Sequence, residues 1–130
     1  MNCLDSSYIV DILDSDRAHH EAAVGWMERR EEPLTTPAIC AFEVLRGAAR
    51  AVEDRFYRTV GFLRTLLVLD FGLDAAIAPG ILDGELHVDG TPLSVRNTLV
   101  ASPTRRHGYT LVTSDQDFAD VPDVAVTSYD

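Results

Sequence analysis

The sequence predicts an α/β domain built around a parallel sheet. Short apolar runs alternate with amphipathic stretches, turn signals separate them about every ten to twenty residues, and the alternation is typical of strands linked by helices. A chain of 130 residues with 46% apolar content can bury a core of its own. We therefore expect one domain over residues 1–130, since no repeat, low-complexity run or linker divides the sequence.

Five short runs rich in aliphatic and β-branched residues predict the strands. They cover residues 2–4, 34–36, 67–69, 109–113 and 124–126. Pro37 closes the second run, and Leu111 and Val112 form the apolar centre of the fourth. The runs are too short and too apolar to alternate clearly, as expected for strands covered on both faces.

Six stretches with helical spacing of apolar residues lie between and after these runs. They cover residues 8–13, 18–30, 37 to 47 or 51, 53–66, 73–86 and 94–107. Asp5, Ser6 or Ser7 can cap the first helix, and Gly108 ends the last. Pro79 and Gly80 predict a kink or break in the fifth helix, and Pro103 is a second flaw in a helical pattern. Residues 87–92 are expected to form a loop, and residues 114–120 an acidic loop or short helix.

The charge of the chain is unusually negative. Twenty-one acids face eleven bases, the formal net charge is −10, and every base is Arg. Carboxylates keep a protein hydrated at high salt, where a Debye length of about 3 Å near 1 M also weakens their repulsion. We expect a halophilic archaeon as the source, although a GC-rich genome also replaces Lys by Arg. In either case the net charge argues against non-specific binding of nucleic acid at low salt.

The location and the cysteines follow from similar arguments. No apolar run approaches the about 20 residues of a membrane span, and the N-terminus lacks the basic segment of a signal peptide. A cytoplasmic protein with no membrane partner is therefore expected. Cys3 and Cys40 do not have the spacing of a zinc site and are expected to be small, buried, reduced thiols.

Several acids occupy positions that favour a shared site. Asp5 follows the first predicted strand and Asp115 follows the fourth, and ligands of open α/β sheets bind beyond the carboxyl ends of strands. Glu43 lies on an otherwise apolar stretch of the third helix. Three converging carboxylates would repel one another unless a hard cation such as Mg²⁺ or Mn²⁺ joined them. Each residue also has a plainer reading: Asp5 as a helix cap, Glu43 as a solvated acid, and Asp115 with Asp117 as turn formers.

Four segments, in order and spacing, resemble those of PIN-domain ribonucleases, and specifically the VapC-type toxins of toxin–antitoxin pairs. They are LDSSYIV, AFEVLRGA, PLSVRNTLVA and LVTSDQDFADVP. The resemblance implies a three-layer α/β/α sandwich with a short central parallel sheet. It also implies a homodimer, an Mg²⁺-dependent endoribonuclease acting on single-stranded or loop RNA, and inhibition by a VapB-type antitoxin.

The resemblance also assigns residues. It implies catalytic roles for Asp5, Glu43, Asn97 and Asp115, and metal binding by Asp5, Glu43, Asp115 and Asp117. Thr113 and Ser6 match hydroxyl positions that brace the acids.

Asn97 departs from the family pattern, which has Asp there. An amide keeps one carbonyl oxygen but removes a negative charge, and this weakens a site for Mg²⁺. Three interpretations stay open: an engineered inactivating change, a natural variant that still works, and a degenerate copy that only binds.

RNA needs a local basic surface on so acidic a chain. The candidates are Arg46, Arg96, Arg105 and Arg106, with His107 and Arg50 beside them, because Arg makes directional contacts to phosphate. A plainer interpretation of 105–107 is a set of charges favoured at a helix C-terminus.

Two rival functions differ in class. A phosphate-handling enzyme or receiver domain also clusters Asp at strand ends, but such sites use a Lys, which this chain lacks. A catalytically inactive PIN-like protein that binds RNA or antitoxin is the more serious alternative because of Asn97.

Overall fold

A five-stranded, wholly parallel sheet forms the centre of the protein. The computed structural model describes residues 1–51 and 54–129. The strands are β1 (Asn2–Leu4), β2 (Leu34–Pro37), β3 (Leu67–Leu69), β4 (Thr110–Val112) and β5 (Ala125–Thr127). Their order across the sheet is β3-β2-β1-β4-β5. The chain thus leaves β1 towards β2 and later returns to its other side at β4, so the strand order reverses beside β1.

In the part of the chain that the structure describes, six helices cover the two faces of this sheet. They are α1 (Ser6–Leu13), α2 (His20–Arg29), α3 (Ala38–Arg50), α4 (Arg55–Leu63), α5 (Leu73–Val88) and α6 (Val95–His107), and a 3₁₀ turn spans Gln116–Phe118. Among the described residues, no helix combines the length and the apolar content needed to cross a membrane.

Two hydrophobic clusters separate the layers. Cys3 and Leu111 point to the cluster formed mainly with α5 and α6, whereas Leu4 and Val112 point to the one formed with α1, α2 and α4. Successive residues of a strand face opposite sides of a sheet, so each central strand contributes to both cores. The predicted three-layer α/β/α sandwich is confirmed.

Local sequence explains the ends of the helices that position the site. The side chain of Asp5 accepts a hydrogen bond from the Ser6 N–H at the start of α1. Ser94 caps α6 through the Asn97 N–H, and Gly108 ends that helix with a φ of 67°, a conformation that costs glycine little. The predicted start and end of this helix are therefore confirmed within one residue.

Two predicted details of the helices differ from the structure. The expected break at Pro79 and Gly80 is wrong, because α5 runs continuously to Val88 and includes His87. A proline removes one helical hydrogen bond, but the ring of Pro79 is buried on the same side as Leu82 and Leu86, and this packing offsets the loss. The fourth helix is shorter than predicted, and its expected start at Glu53 lies outside the described residues.

Both cysteines are free and fully buried, as predicted. Burial raises the pKa of the Cys3 thiol to about 11 and raises the pKa of Cys40 further. Both sulfur atoms are therefore neutral thiols at ordinary pH.

Candidate active site at the sheet edge

The carboxyl ends of β1 and β4 bring two of the predicted polar residues together. These strands are hydrogen-bonded neighbours, with Leu4 opposite Val112. Asp5 directly follows β1 and Thr113 directly follows β4, so both side chains emerge at the same edge. This edge lies where the strand order reverses, which is the usual place for a ligand site in an open α/β sheet.

Asp5 is almost completely buried, with 1% of its surface exposed. Its Oδ2 accepts a hydrogen bond of 2.7 Å from the hydroxyl of Thr113, and a longer one of 3.4 Å from Ser7. Its Oδ1 accepts from the Ser6 N–H and, at 3.7 Å, from the thiol of Cys40. Asp5 can therefore cap α1 and belong to the site at the same time, because its carboxylate accepts hydrogen bonds from several directions.

Arg96 is the centre of the cluster. Its Nη2 donates to Asp5 Oδ1 at 2.6 Å and to Glu43 Oε1 at 2.8 Å, and its Nε donates to both carboxylate oxygens of Glu43 at 3.0 and 3.1 Å. Nη2 also contacts Ser6 Oγ at 2.6 Å, and Nη1 donates to Asn97 Oδ1 at 2.9 Å. One guanidinium therefore joins residues from α1, α3 and α6.

The charge of Arg96 is secured by these contacts. Burial disfavours a charged guanidinium, but the hydrogen bonds to Glu43 and the charge of Asp5 outweigh that effect and raise the pKa of Arg96 above its ordinary value. Arg96 is therefore positively charged at ordinary pH. Two of the four predicted site carboxylates, Asp5 and Glu43, are therefore paired with a cation supplied by the chain itself.

An open pocket of about 450 Å³ contains the cluster. Its wall includes Asp5, Glu43 and Asp115 together with Arg17 and Arg96. The N–H of Asp115 donates to Thr113 Oγ1 at 3.0 Å, so the hydroxyl that holds Asp5 also orients the backbone of the third acid. The structure thus brings three of the four predicted acids to one pocket.

Two other predicted site residues face a neighbouring pocket of similar volume. Asn97 and Asp117 line that second pocket with Ser94 and Gln116. Asn97 still touches the first site through its contact to Arg96, and the Asp117 N–H donates to Asp115 Oδ1 at 2.9 Å. The backbone N–H of Asp117 thus orients the Asp115 carboxylate, while the Asp117 residue lines the neighbouring pocket.

The predicted basic residues do not gather around the acidic pocket, and their role in binding RNA stays a prediction. At about 1.5 Å per residue, Arg105 lies about 14 Å along the axis of α6 from Arg96. Arg105 is instead paired with Glu85, and Arg106 donates to the carbonyl of Asp74. Both stand at the end of α6 that leads into the start of β4, away from the carboxyl edge of the sheet.

The remaining predicted basic residue has a different environment. The guanidinium of Arg46 lies 5.5 Å from the ring centre of Phe42, on the exposed side of α3. Arg50, one turn further along α3, is also exposed. Neither residue belongs to the set that lines the acidic pocket.

Sequence reasoning missed Arg17 as a residue of the pocket. Its Nε donates to Asp11 at 3.0 Å, and the buried Asp11 also accepts a hydrogen bond from the hydroxyl of Tyr129. About half of the Arg17 side chain is exposed to solvent. The charged residues 14–17 look like an ordinary solvent-exposed turn in the sequence. Only the folded chain brings Arg17 to the pocket beside α3.

The oxygen donors suit a divalent metal, but Arg96 holds two of them. Carboxylate and amide oxygens are the ligands that Mg²⁺ and Mn²⁺ prefer. Within residues 1–51 and 54–129, however, no three Asp, Glu, His or Cys side chains are grouped as they stand to hold a metal ion. The donor chemistry therefore fits such an ion, provided that the guanidinium leaves Asp5 and Glu43.

Comparison with known proteins agrees with the fold. The family model described as PIN domain matches residues 3–124. The tRNA(fMet)-specific endonuclease VapC of Salmonella typhimurium is 27% identical over 95 residues, which cover 71% of this chain and 72% of that protein.

Two solved structures illustrate the similarity. VapBC2 from Rickettsia felis, bound to a promoter DNA fragment, is 20% identical with a TM-score of 0.84, covering 99% of this chain and 98% of that one. Mycobacterium tuberculosis VapC20, a sarcin–ricin loop cleaving toxin, is 14% identical with a TM-score of 0.77, covering 96% and 99% of the two chains. At these identities the solved structures establish a shared fold.

Proposed function

Because the chain belongs to the PIN domain family, we propose that it is a VapC-like endoribonuclease toxin that cleaves single-stranded or loop RNA and is neutralised by a VapB-type antitoxin. The observation that carries the proposal is the meeting of Asp5, Glu43 and Asp115 in one pocket at the carboxyl edge of the sheet. Two relatives support the substrate class, since one is named for cleaving tRNA(fMet) and another for cleaving the sarcin–ricin loop.

The proposed cofactor is Mg²⁺, or Mn²⁺ in its place. Asp5, Glu43 and Asp115 would hold it, Asn97 would contribute from the border of the pocket, and Asp117 would orient Asp115. When bound, such an ion neutralises the carboxylates, makes a nearby water more acidic and stabilises charge on a phosphate group.

The residues of the chain have separate tasks in this proposal. The hydroxyl of Thr113 fixes the orientation of Asp5, and the half-exposed Arg17 can contact a phosphate of RNA as it enters the pocket. The carboxylates line a wall that an RNA phosphate approaches only when cations offset their charge. The pocket is open to solvent, in keeping with a polymeric substrate.

The test is an RNA-cleavage assay with and without a chelator. The purified protein should cleave RNA in Mg²⁺ or Mn²⁺, leave 5′-phosphate ends, and lose activity in EDTA. Asp5→Asn and Glu43→Gln should each lower the rate at least about 100-fold, since each removes a charge at the reacting site. Asp83→Asn, an exposed acid on α5, is the matched control and should cleave normally. Products with 2′,3′-cyclic phosphate, or unchanged activity in EDTA, would contradict the metal-dependent mechanism.

The second candidate is a PIN-like protein that binds RNA or antitoxin without cutting. Asn97 favours it, because one negative charge of the family pattern is absent and the amide contacts Arg96 instead. Asn97→Asp discriminates the two. Cleavage by the Asp form alone identifies a disabled nuclease, cleavage by both identifies an active one, and cleavage by neither identifies a binder.

We also propose a homodimer formed through an apolar face of α5. Four large side chains of that helix are mostly exposed at helical spacing, and they are Leu73, Ile77, Ile81 and Val88. A chain with a net charge of −10 repels its own copies, so an apolar face of this kind is the surface most able to bring two together. Light scattering should give a dimer for the protein and a monomer for the Ile77→Arg, Ile81→Arg double variant. A monomeric wild type at micromolar concentration would refute the homodimer.

A further inference from the structure

The positively charged guanidinium of Arg96 lies between the carboxylates of Asp5 and Glu43. It bridges Asp5 and Glu43 at 2.6 and 2.8 Å and caps both oxygens of Glu43. A divalent ion drawn to this pocket would seek the same carboxylate oxygens. Arg96 and the ion cannot both use them at these distances.

We propose that Arg96 is an internal counterion that closes the carboxylate pocket, and that a divalent cation binds only by displacing it. The inference rests on the proposed metal-dependent function and concerns the state of the site before the ion arrives. Arg96 is thus a competitor of the ion for Asp5 and Glu43, and it sets how much free ion the protein needs.

The contacts of Arg96 permit such an exchange. Its strong acceptors are all side chains: Asp5, Ser6, Glu43 and Asn97. About a quarter of the side chain is already exposed, so it can rotate outwards without breaking a backbone hydrogen bond. The backbone of Arg96 belongs to the first turn of α6, so the side chain can rotate without movement of the helix.

The balance of charge in the pocket favours the replacement of Arg96 by a divalent ion. Asp5, Glu43 and Asp115 bring three negative charges to the pocket, and Arg96 offsets one of them, while Arg17 in the same wall is paired with Asp11. An ion with two positive charges offsets more, but it must first release a salt-bridged and hydrogen-bonded guanidinium. Displacement therefore depends on the concentration of the ion.

The experiment measures metal binding without reference to RNA. The full chain, Arg96→Met and Arg96→Lys are titrated with Mn²⁺, and the free ion is followed by electron paramagnetic resonance. Met retains most of the aliphatic stem and removes the charge, whereas Lys retains the charge but cannot bridge two carboxylates in the same way. Arg106→Met removes one positive charge from the far end of the same helix and is the matched control.

We expect Arg96→Met to bind Mn²⁺ at least about tenfold more tightly than wild type, Arg96→Lys to be intermediate, and Arg106→Met to lie within about twofold of wild type. Melting curves provide a second readout. Without metal, Arg96→Met should melt below wild type, because two carboxylates lose their partner. Saturating Mn²⁺ should raise the melting temperature of Arg96→Met more than that of wild type, because tighter binding stabilises the folded state further.

Each outcome has a distinct meaning. Equal affinity of wild type and Arg96→Met for Mn²⁺ would overturn the role of Arg96 and leave the metal site in place. Weaker binding by Arg96→Met would also overturn it, since Arg96 would then support the site. Absence of Mn²⁺ binding by all variants, with circular dichroism showing that they are folded, would refute the metal site itself and the competition with it.

Discussion

Replacing Thr113 by Val tests whether Asp5 is a charged group anchored in the interior. Thr113 is 2% exposed, and its hydroxyl donates to Asp5 Oδ2 at 2.7 Å, accepts from the Asp115 N–H at 3.0 Å and lies 3.3 Å from Ser7 Oγ. Valine has nearly the same shape, so the substitution removes all three contacts of the hydroxyl with little change in packing. A hydrogen bond to a charged group contributes about 1.5–3 kcal/mol, and the stranded N–H of Asp115 adds to the loss.

The expected cost of Thr113→Val is therefore about 2–4 kcal/mol in the free energy of unfolding. Thr36→Val is the matched control, because the buried hydroxyl of Thr36 donates at 2.8 Å to the neutral carbonyl of Leu4 and should cost about 1 kcal/mol. Thr113→Ser, which keeps the hydroxyl, should recover most of the loss. Urea unfolding at neutral pH measures all three variants, with an unchanged m-value as the check that the transition is comparable. Equal costs for the two Val variants would refute the view that Thr113 anchors a carboxylate.

Three further predictions concern other parts of the molecule. Burial, with the hydrogen bond to Asp11, raises the pKa of Tyr129 to about 12, whereas an unfolded tyrosine titrates near 10. Its contribution to stability is complete below about pH 10 and is lost as the pH rises through about 12, so wild type should lose more stability over that interval than Tyr129→Phe. Arg17→Ala should weaken RNA binding and reduce its salt dependence, whereas the Arg105→Ala, Arg106→Ala double variant should leave both unchanged; the opposite result in a binding titration would restore the patch expected from sequence. If the acidic, lysine-free composition reflects adaptation to salt, the melting temperature should rise between about 0.1 M and about 2 M KCl, and a flat or falling profile would favour genome composition as the cause.

The sequence predicts the secondary structure of this protein well, because the local sequence patterns and the packing of the sheet favour the same elements. All five strands appear where short apolar runs predict them, and Gly108 ends α6 as expected. The exception at Pro79 is informative. A local rule gives the cost of a proline inside a helix, but only the packed structure shows the burial that offsets it.

The acids of the site could be located from sequence, but their electrostatic state could not. Asp5 and Asp115 both follow the carboxyl ends of predicted strands, which lie at one edge of a parallel sheet, and the structure shows that these two strands are neighbours. The position of a guanidinium group at the end of a long side chain depends on the rotamer that the packing of neighbouring residues allows. Proximity in sequence groups Arg96 with Arg105 and Arg106, whereas more than two helical turns separate them in the structure.

The pair Arg96 and Asn97 shows why the identity of a single helical position is not enough to judge this site. Adjacent residues on a helix point about 100° apart. Asn97 therefore lines the neighbouring pocket, while Arg96 reaches into the carboxylate pocket and meets Asn97 only through the 2.9 Å contact. An aspartate at position 97 would add a charge that attracts a metal ion and, at the same time, a stronger acceptor for Arg96. The two effects oppose each other, so Asn97→Asp should increase affinity for Mn²⁺ less in the wild-type background than in Arg96→Met. A double-mutant cycle on metal affinity measures that difference directly, and additive effects would show that the two residues act independently.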